Sequence, residues 1–265
     1  MTWLQTIVLA IVQGLTEFLP ISSSGHLLLV PAVFGWTDQG LTFDVAVHFG
    51  SLLAVAVYFR NDLRALISGG VGLLSGSAAS PQSRLALFIL IGTVPAAITG
   101  LLFAGWIEAN LRSPLVIVYT LAAYGVLMAL ADRFGKHQRV IANVGLKDAI
   151  IIGIAQALAL VPGTSRSGIT ISAAMILGFQ RRDAARFSFL LSAPVILLAT
   201  GYKTTLLMIE GTQIAWAQLA VGAAVSAVVA YLSIDFFMRF VNAIGLLPFA
   251  IYRLGLAGVI MYAIV

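Results

Sequence analysis

Apolar residues in this chain occur in long runs separated by short polar segments, a pattern typical of helices that cross a lipid bilayer. Six runs have the length of about 17 to 25 residues that a transmembrane helix needs. We predict these six spans at residues 43–59, 85–107, 114–131, 187–203, 214–236 and 244–265. Residues 60–84 are more polar, and they predict a short interfacial helix followed by a loop.

Two further apolar segments differ from these spans, because a break rich in proline, serine and glycine divides each into short arms. The first segment covers residues 3–36 with its break at 20–26, and the second covers residues 148–179 with its break at 162–168. Proline and glycine end helices, and none of the four arms comfortably reaches the length of a span. Each segment therefore predicts a re-entrant helical hairpin, whose irregular tip is tolerated only where protein or water surrounds it.

The two hairpins correspond to each other at one constant offset along the chain. Gln13 corresponds to Gln156, Ser22 to Ser165 and Gly25 to Gly168. We therefore predict an all-α integral membrane protein with a single membrane domain, residues 1–265, in which each half is a re-entrant hairpin followed by three transmembrane helices. An odd number of spans per half inverts the second copy, and inverted repeats place a site near the middle of the membrane, where the two polar tips should meet. Repeat one covers about 1–131, repeat two covers about 148–265, and a cytoplasmic loop covers 132–147.

Composition supports the membrane assignment. Hydrophobic residues make up 60% of the chain and charged residues only 9%, whereas about a quarter of the residues in soluble domains are charged. The net charge of +5 then indicates cytoplasmic loops and not a surface for nucleic acid. The positions of Lys and Arg in the loops between the six spans place both termini outside. Arg181, Arg182 and Arg186 are expected to form a lipid-facing cytoplasmic anchor. The chain has no cysteine, which excludes disulfides and thiolate chemistry.

The hairpin tips carry the candidate chemistry, because ionisable residues inside a membrane are functional candidates by default. Glu17 can hold a divalent cation that bridges pyrophosphate oxygens. Arg166 and a helix N-terminus can bind the transferring phosphoryl group. His26 or Ser23 can supply a nucleophile, and His26 can alternatively act as a general acid or base. The other polar tip residues are Gln13, Ser22 and Ser24 in the first hairpin and Ser165, Ser167 and Thr170 in the second.

Each candidate also has a structural alternative. Glu17 could simply pair with Arg166, His26 could cap or pack, and the serines could be helix caps and turn formers. Asp44 and His48 lie one helical turn apart in the first span and could bind a metal, although we favour interfacial or structural roles for them. Arg253 in the last span is expected to pair with another side chain or to extend towards the membrane surface.

Residues 13–20 and 22–26, together with residues 162–170, resemble the two signature segments of the bacterial undecaprenyl-diphosphate phosphatase family, the bacitracin-resistance type. The resemblance covers the whole chain and includes residues 187–191 and 248–253. It implies a multi-pass enzyme of the bacterial plasma membrane that hydrolyses undecaprenyl diphosphate to undecaprenyl phosphate plus phosphate. The reaction would recycle the lipid carrier for cell-wall synthesis and would need a divalent cation, Mg²⁺ or Ca²⁺.

The resemblance also assigns roles to individual residues. The histidine of the family falls on His26, its arginine on Arg166 and its acidic motif on Gln13 and Glu17, so Glu17 is expected on the metal side. The nucleophile is either His26 or Ser23. The expected catalytic residues are Glu17, His26, Arg166 and Ser23, and the expected phosphate-binding residues are Gln13, Ser22, Ser165, Ser167, Gly168 and Thr170.

The expected partners are a polyprenyl diphosphate lipid and the surrounding membrane lipids, with no nucleic acid, and a homodimer is left open. The N-out layout and the family resemblance together predict a site that opens to the outer face of the membrane. A transporter or flippase for a phosphorylated lipid or small anion is the alternative, because an inverted repeat with broken helices fits either function.

Overall fold

The structure is a computed structural model that describes residues 1–74, 80–210 and 215–263, and this part of the chain is helical with no β-strand. A 3₁₀ turn covers Ile141–Asn143. The α-helices are α1 (Trp3–Thr16), α2 (Ser23–Phe34), α3 (Gly40–Tyr58), α4 (Arg60–Leu74), α5 (Pro81–Asn110), α6 (Pro114–Phe134), α7 (Leu146–Leu158), α8 (Arg166–Ile176), α9 (Arg181–Glu210), α10 (Trp216–Ile244) and α11 (Leu247–Ala263).

Within the described residues, five helices are long and apolar enough to cross a membrane: α3, α5, α6, α9 and α10. The chain is therefore an all-α, multi-pass membrane protein, as its hydropathy predicts. The sixth predicted span, 244–265, corresponds to the 17-residue helix α11, and residues 264–265 lie outside the described part. The polar segment 60–84 contains the predicted helix, α4, and residues 75–79 of its loop are likewise outside the described part.

Two predicted loops are wrong where the structure describes them. Residues 204–210 of the loop predicted at 204–213 are helical and belong to α9, while residues 211–213 lie outside the described part. The break predicted after residue 236 is absent, because α10 continues to Ile244. The turn comes instead at Gly245, whose φ of 69° suits glycine.

Both re-entrant hairpins are present. Helices α1 and α2 are the arms of the first, helices α7 and α8 are the arms of the second, and the intervening residues 17–22 and 159–165 are non-helical. Helix α1 begins with a capping box, in which Thr2 and Gln5 each bond the backbone N–H of the other. Helix α2 ends at Gly35, which adopts the left-handed conformation.

Helices approach closely where glycine faces a neighbouring backbone. Helix α3 packs on α10, and a Cβ atom at Gly50 would lie 2.2 Å from the carbonyl oxygen of Ala223. Helix α7 packs on α5, where a Cβ atom at Gly153 would lie 2.6 Å from the carbonyl oxygen of Gly92. Small residues at such contacts are the usual basis of helix association in lipid, where burial from water contributes little.

Ion pairs connect neighbouring elements: α6 with α9, the loop after α6 with α7, and α4 with α9. Arg181 binds Asp132 at 2.5 Å, and Arg139 binds Asp148 at 2.6 Å. The hydrogen bonds to Asp148 raise the pKa of Arg139 above its usual value. Arg186 pairs with Asp62. The expectation of a lipid-facing anchor is thus wrong for Arg181 and Arg186, which bind carboxylates of other elements.

The close contact between α3 and α10 can be tested with Gly50→Ala. The added methyl group meets backbone atoms that cannot rotate away, so we expect a loss of about 1 to 3 kcal/mol of stability. The matched control is Gly100→Ala on α5, where no atom of the described residues lies within 4 Å of the place that the methyl group would take. That variant should be as stable as the parent or more stable, since alanine favours helix. Equal thermal unfolding midpoints of the two variants in detergent would contradict the packing.

Candidate active site

The two hairpin breaks contain the same uncommon turn. Ser22 has φ 75° and ψ 98°, and Ser165 has φ 68° and ψ 109°, values that are costly for a residue with a side chain. Each serine caps the helix that follows. The Oγ of Ser22 accepts a hydrogen bond from the backbone N–H of Gly25, and the Oγ of Ser165 accepts one from that of Gly168. The turn starts α2 and α8 with their N-terminal N–H groups beside one shared cavity, which both serines line.

The tips of the two hairpins bind each other directly. The N–H of Gly163 donates to Oγ of Ser24 at 3.1 Å, and the hydroxyl of Ser167 donates to the carbonyl oxygen of Leu19 at 3.1 Å. Gly163 has φ 87°, and a Cβ atom there would lie 2.1 Å from Oγ1 of Thr120, so this position requires glycine. These bonds satisfy polar groups that lipid would leave unpaired.

A buried ion pair lies at the contact between the tips. Nη2 of Arg166 donates to Oε1 of Glu17 at 2.9 Å, and the two side chains are 12% and 8% exposed. Oε2 of Glu17 accepts hydrogen bonds from Nε2 of Gln13 at 2.9 Å and from the hydroxyl of Ser23 at 3.0 Å. The predicted meeting of the two tips is confirmed, and it brings Glu17 and Arg166 together.

The guanidinium of Arg166 has capacity left for a ligand. Its Nη1 is buried and has no hydrogen-bond partner among the described residues. Its carbon Cζ lies 5.5 Å from the ring centre of Phe18, on the apolar side of the site. This nitrogen has almost no surface open to the cavity, so an anion could bind it only after the guanidinium turns.

The cavity between the tips has a volume of about 180 Å³ and a mostly polar wall. Hydroxyl groups, one carboxylate, one imidazole and one guanidinium face it, which is a set of groups suited to a phosphate ester or anhydride. Its lining residues are Glu17, Ser22, Ser23, Ser24, His48, Ala159, Ser165 and Arg166.

Four of the six predicted phosphate-binding residues do not line this cavity: Gln13, Ser167, Gly168 and Thr170. Ser167 and Thr170 are fully buried, and the hydroxyl of Thr170 shares a 2.6 Å hydrogen bond with that of Ser188. Gly168 packs closely against Ser165. Ser167, Gly168 and Thr170 help to build the second tip, whereas Gln13 donates a hydrogen bond to Glu17. The binding role of all four stays a prediction.

His26 is also directed elsewhere. Its Nδ1 lies 2.7 Å from the carbonyl oxygen of Ser22, and its Nε2 lies 2.7 Å from the hydroxyl of Tyr252. A carbonyl oxygen can only accept a hydrogen bond, so Nδ1 of His26 carries the proton. Nε2 of the neutral ring then accepts a hydrogen bond from the hydroxyl of Tyr252. The geometry favours the packing alternative, and a catalytic role for His26 stays a prediction.

His48 lines the cavity instead. Its Nε2 lies 3.7 Å from Oε2 of Glu17, while its Nδ1 lies 2.7 Å from the backbone oxygen of Asp44. The side chain of Asp44 accepts a hydrogen bond from Gln39 and does not line the cavity, so the structure gives no support to a metal pair of Asp44 and His48. The signal for His48 was present in the sequence as an ionisable residue within a span.

Arg253 supports the second tip from behind. It is fully buried and donates from Nη2 to the carbonyl oxygen of Gly163 at 3.0 Å and from Nε to that of Leu121 at 3.3 Å. The prediction that Arg253 pairs with a side chain or extends to the membrane surface is wrong. Its hydrogen bonds go to backbone oxygens, one of them in the loop that carries Arg166.

A double-mutant cycle tests the buried ion pair. Glu17→Gln or Arg166→Gln alone leaves one charge buried without its partner, which costs about 3 to 5 kcal/mol. We expect the double variant to be more stable than the sum of the two single losses predicts. The exposed pair of Glu108 and Arg112 is the control, and its cycle should show at most about 0.5 kcal/mol of coupling. Equal coupling in the two cycles, measured by unfolding in detergent, would contradict the arrangement.

Comparison with known proteins shows the family of this chain. The family model described as bacitracin resistance protein BacA matches residues 6–259. A protein of Hahella chejuensis named undecaprenyl-diphosphatase is 54% identical over 263 residues, which cover 99% of this chain and 98% of the relative. Proteins of the same name from Alcanivorax borkumensis and Teredinibacter turnerae are 52% and 51% identical, and each match covers 99% of both chains. The chain therefore belongs to the bacitracin resistance protein BacA family.

Proposed function

We propose that this protein is a phosphatase of the bacterial plasma membrane that hydrolyses undecaprenyl diphosphate to undecaprenyl phosphate plus phosphate. The reaction would recycle the lipid carrier used in cell-wall synthesis. The observation that carries this proposal is the polar cavity between the hairpin tips, in which Arg166, Glu17 and Ser23 meet. The name of the full-length relatives supports the same substrate.

The charges of the cavity favour a diphosphate. Glu17 and Arg166 neutralise each other, so an arriving anion meets two helix N-termini without a net negative charge. The serine hydroxyls of the wall add donors that can rotate towards phosphate oxygens. The prenyl chain would remain among the apolar helices while the diphosphate head enters the cavity.

Ser23 is the nucleophile that we propose, because its hydroxyl lines the cavity and already donates to Glu17 at 3.0 Å. Its Oγ forms a bond to the terminal phosphorus while the bond from that phosphorus to the bridging oxygen breaks. The hydroxyl proton passes to Glu17, and polyprenyl monophosphate leaves. Water then cleaves the phosphoserine, which releases phosphate and restores the hydroxyl. Arg166 stabilises the charge on the transferring group.

A divalent cation, Mg²⁺ or Ca²⁺, would be held at Glu17. The protein alone does not form a complete metal site, since the described residues contain no group of three His, Cys, Asp or Glu at metal-binding distance. Mg²⁺ commonly keeps several waters and takes only one or two carboxylates besides substrate phosphates. Three donors occupy Glu17, whereas a carboxylate has about four acceptor positions. When bound, the cation would neutralise charge on the diphosphate.

We further propose that the two halves form an inverted repeat. Ser22 and Ser165 share one backbone conformation and one capping bond. The packing of the halves also corresponds, because α1 of the first half packs on α10 of the second, while α7 of the second half packs on α5 of the first. With both termini outside, the cavity would open to the outer face, where phosphate can leave.

Cysteine labelling tests this orientation cleanly, because the natural chain has no cysteine. Asn110→Cys and Lys136→Cys introduce one thiol each, on loops that we place on opposite sides of the membrane. In right-side-out spheroplasts, a membrane-impermeant maleimide should label the variant at position 110 at once. The variant at position 136 should react only after permeabilisation. The opposite pattern would overturn the proposed orientation.

Phosphate release tests the activity. Purified protein in detergent with farnesyl diphosphate and Mg²⁺ should release inorganic phosphate. Ser23→Ala and Arg166→Ala should each lower the rate at least about 100-fold, because each removes a group that acts on the transferring phosphoryl. Ser172→Ala is the matched control, since this buried serine bonds its own helix and does not line the cavity. A correctly folded protein that binds the lipid and releases no phosphate would favour the transporter alternative.

A further inference from the structure

His48 is the histidine that lines the cavity, whereas the other two histidines of the chain do not. Both ring nitrogens of His26 are engaged with Ser22 and Tyr252, and His137 bonds a backbone oxygen of Asp132. The side chain of His48 is 33% exposed, and it lines the cavity wall together with Glu17. The roles proposed above leave this imidazole without a function.

The backbone fixes which nitrogen of His48 carries a proton. The carbonyl oxygen of Asp44, 2.7 Å from Nδ1, can only accept, so Nδ1 is the protonated nitrogen. In the neutral ring, Nε2 then presents a lone pair towards Glu17. Histidines that bind metals usually donate their other ring N–H to a carbonyl or carboxylate in this way, which orients the ring.

The separation between His48 and Glu17 suits two ligands of one ion. Nε2 and Oε2 are 3.7 Å apart, which is too long for a hydrogen bond. Two metal–ligand bonds of about 2.1 Å each can together span up to about 4.2 Å. One ion can therefore reach both atoms once it displaces the hydrogen bond that Gln13 donates to Oε2. Gln13 occupies the first position of the acidic motif, and its amide side chain supplies no second carboxylate beside Glu17.

We propose that His48 is the second protein ligand of the divalent cation, binding through Nε2 beside the carboxylate of Glu17. This inference rests on the proposed function only in placing a cation at Glu17. The remaining positions around the ion would go to water and to the diphosphate. Because imidazole is a softer ligand than carboxylate, the pair should accept Mn²⁺ more readily than Ca²⁺.

Mn²⁺ is the probe that tests this ligand directly. The full chain, purified in detergent without a polyhistidine tag, is loaded with Mn²⁺ in the absence of substrate. Pulsed electron paramagnetic resonance should detect one directly bound imidazole nitrogen by its ¹⁴N coupling. His48→Gln should lose that coupling and weaken Mn²⁺ binding about tenfold or more, while His26→Gln and His137→Gln should retain the coupling.

A second variant separates ligation from folding. His48→Glu replaces the nitrogen by a carboxylate of similar reach, so it should keep Mn²⁺ binding but lose the ¹⁴N coupling. Coupling that persists in His48→Gln, or Mn²⁺ bound to the parent chain without nitrogen coupling, would overturn the assignment. Failure of the parent chain to bind Mn²⁺ would do the same.

The outcome is independent of catalysis. If the protein shows nitrogen coupling from His48 but releases no phosphate, the assignment of His48 as a ligand holds and the proposed function is overturned. Phosphate release with an unchanged rate and an unchanged Mn²⁺ affinity in His48→Gln would uphold the function and overturn the ligand.

Discussion

The ion pair between Glu17 and Arg166 is the interaction on which the site depends. Each charge lies at the tip of a broken helix inside an apolar protein, where a single charge is costly. The carboxylate of Glu17 binds the guanidinium of Arg166 as a phosphate group could bind it. The protein thereby keeps a guanidinium inside an apolar environment without leaving its charge unpaired.

The hairpins and their meeting point could be predicted from the sequence, because proline, glycine and serine mark helix breaks through local chemistry alone. The roles of His48 and Arg253 could not, since they depend on neighbours that are distant along the chain, Glu17 for one and Gly163 for the other. One predicted helix boundary was also wrong. The span predicted at 214–236 ends too early, because Asp235 and Arg239 pair with each other along one helix and α10 continues through them.

The corresponding positions of the two tips show how one backbone turn serves two chemical purposes. Ser22 and Ser165 keep the turn itself nearly unchanged. At the next position, Ser23 of the first tip corresponds to Arg166 of the second, and Glu17 corresponds to Leu160. The first tip therefore contributes the hydroxyl and the acid, whereas the second contributes the cation. The framework is shared, and the reactive groups are divided between the halves.

The hydrogen bonds between the tips also have a consequence for how the protein is made. Oγ of Ser24 and the carbonyl oxygen of Leu19 are bonded by Gly163 and Ser167, which leave the ribosome more than a hundred residues later. Until then, Leu19, Ser24 and Glu17 of the first tip lack the hydrogen bonds that the second half donates to them. The first hairpin would therefore reach its final depth only after the second half has been synthesised, so biogenesis should couple insertion of the early segment to translation of the late one.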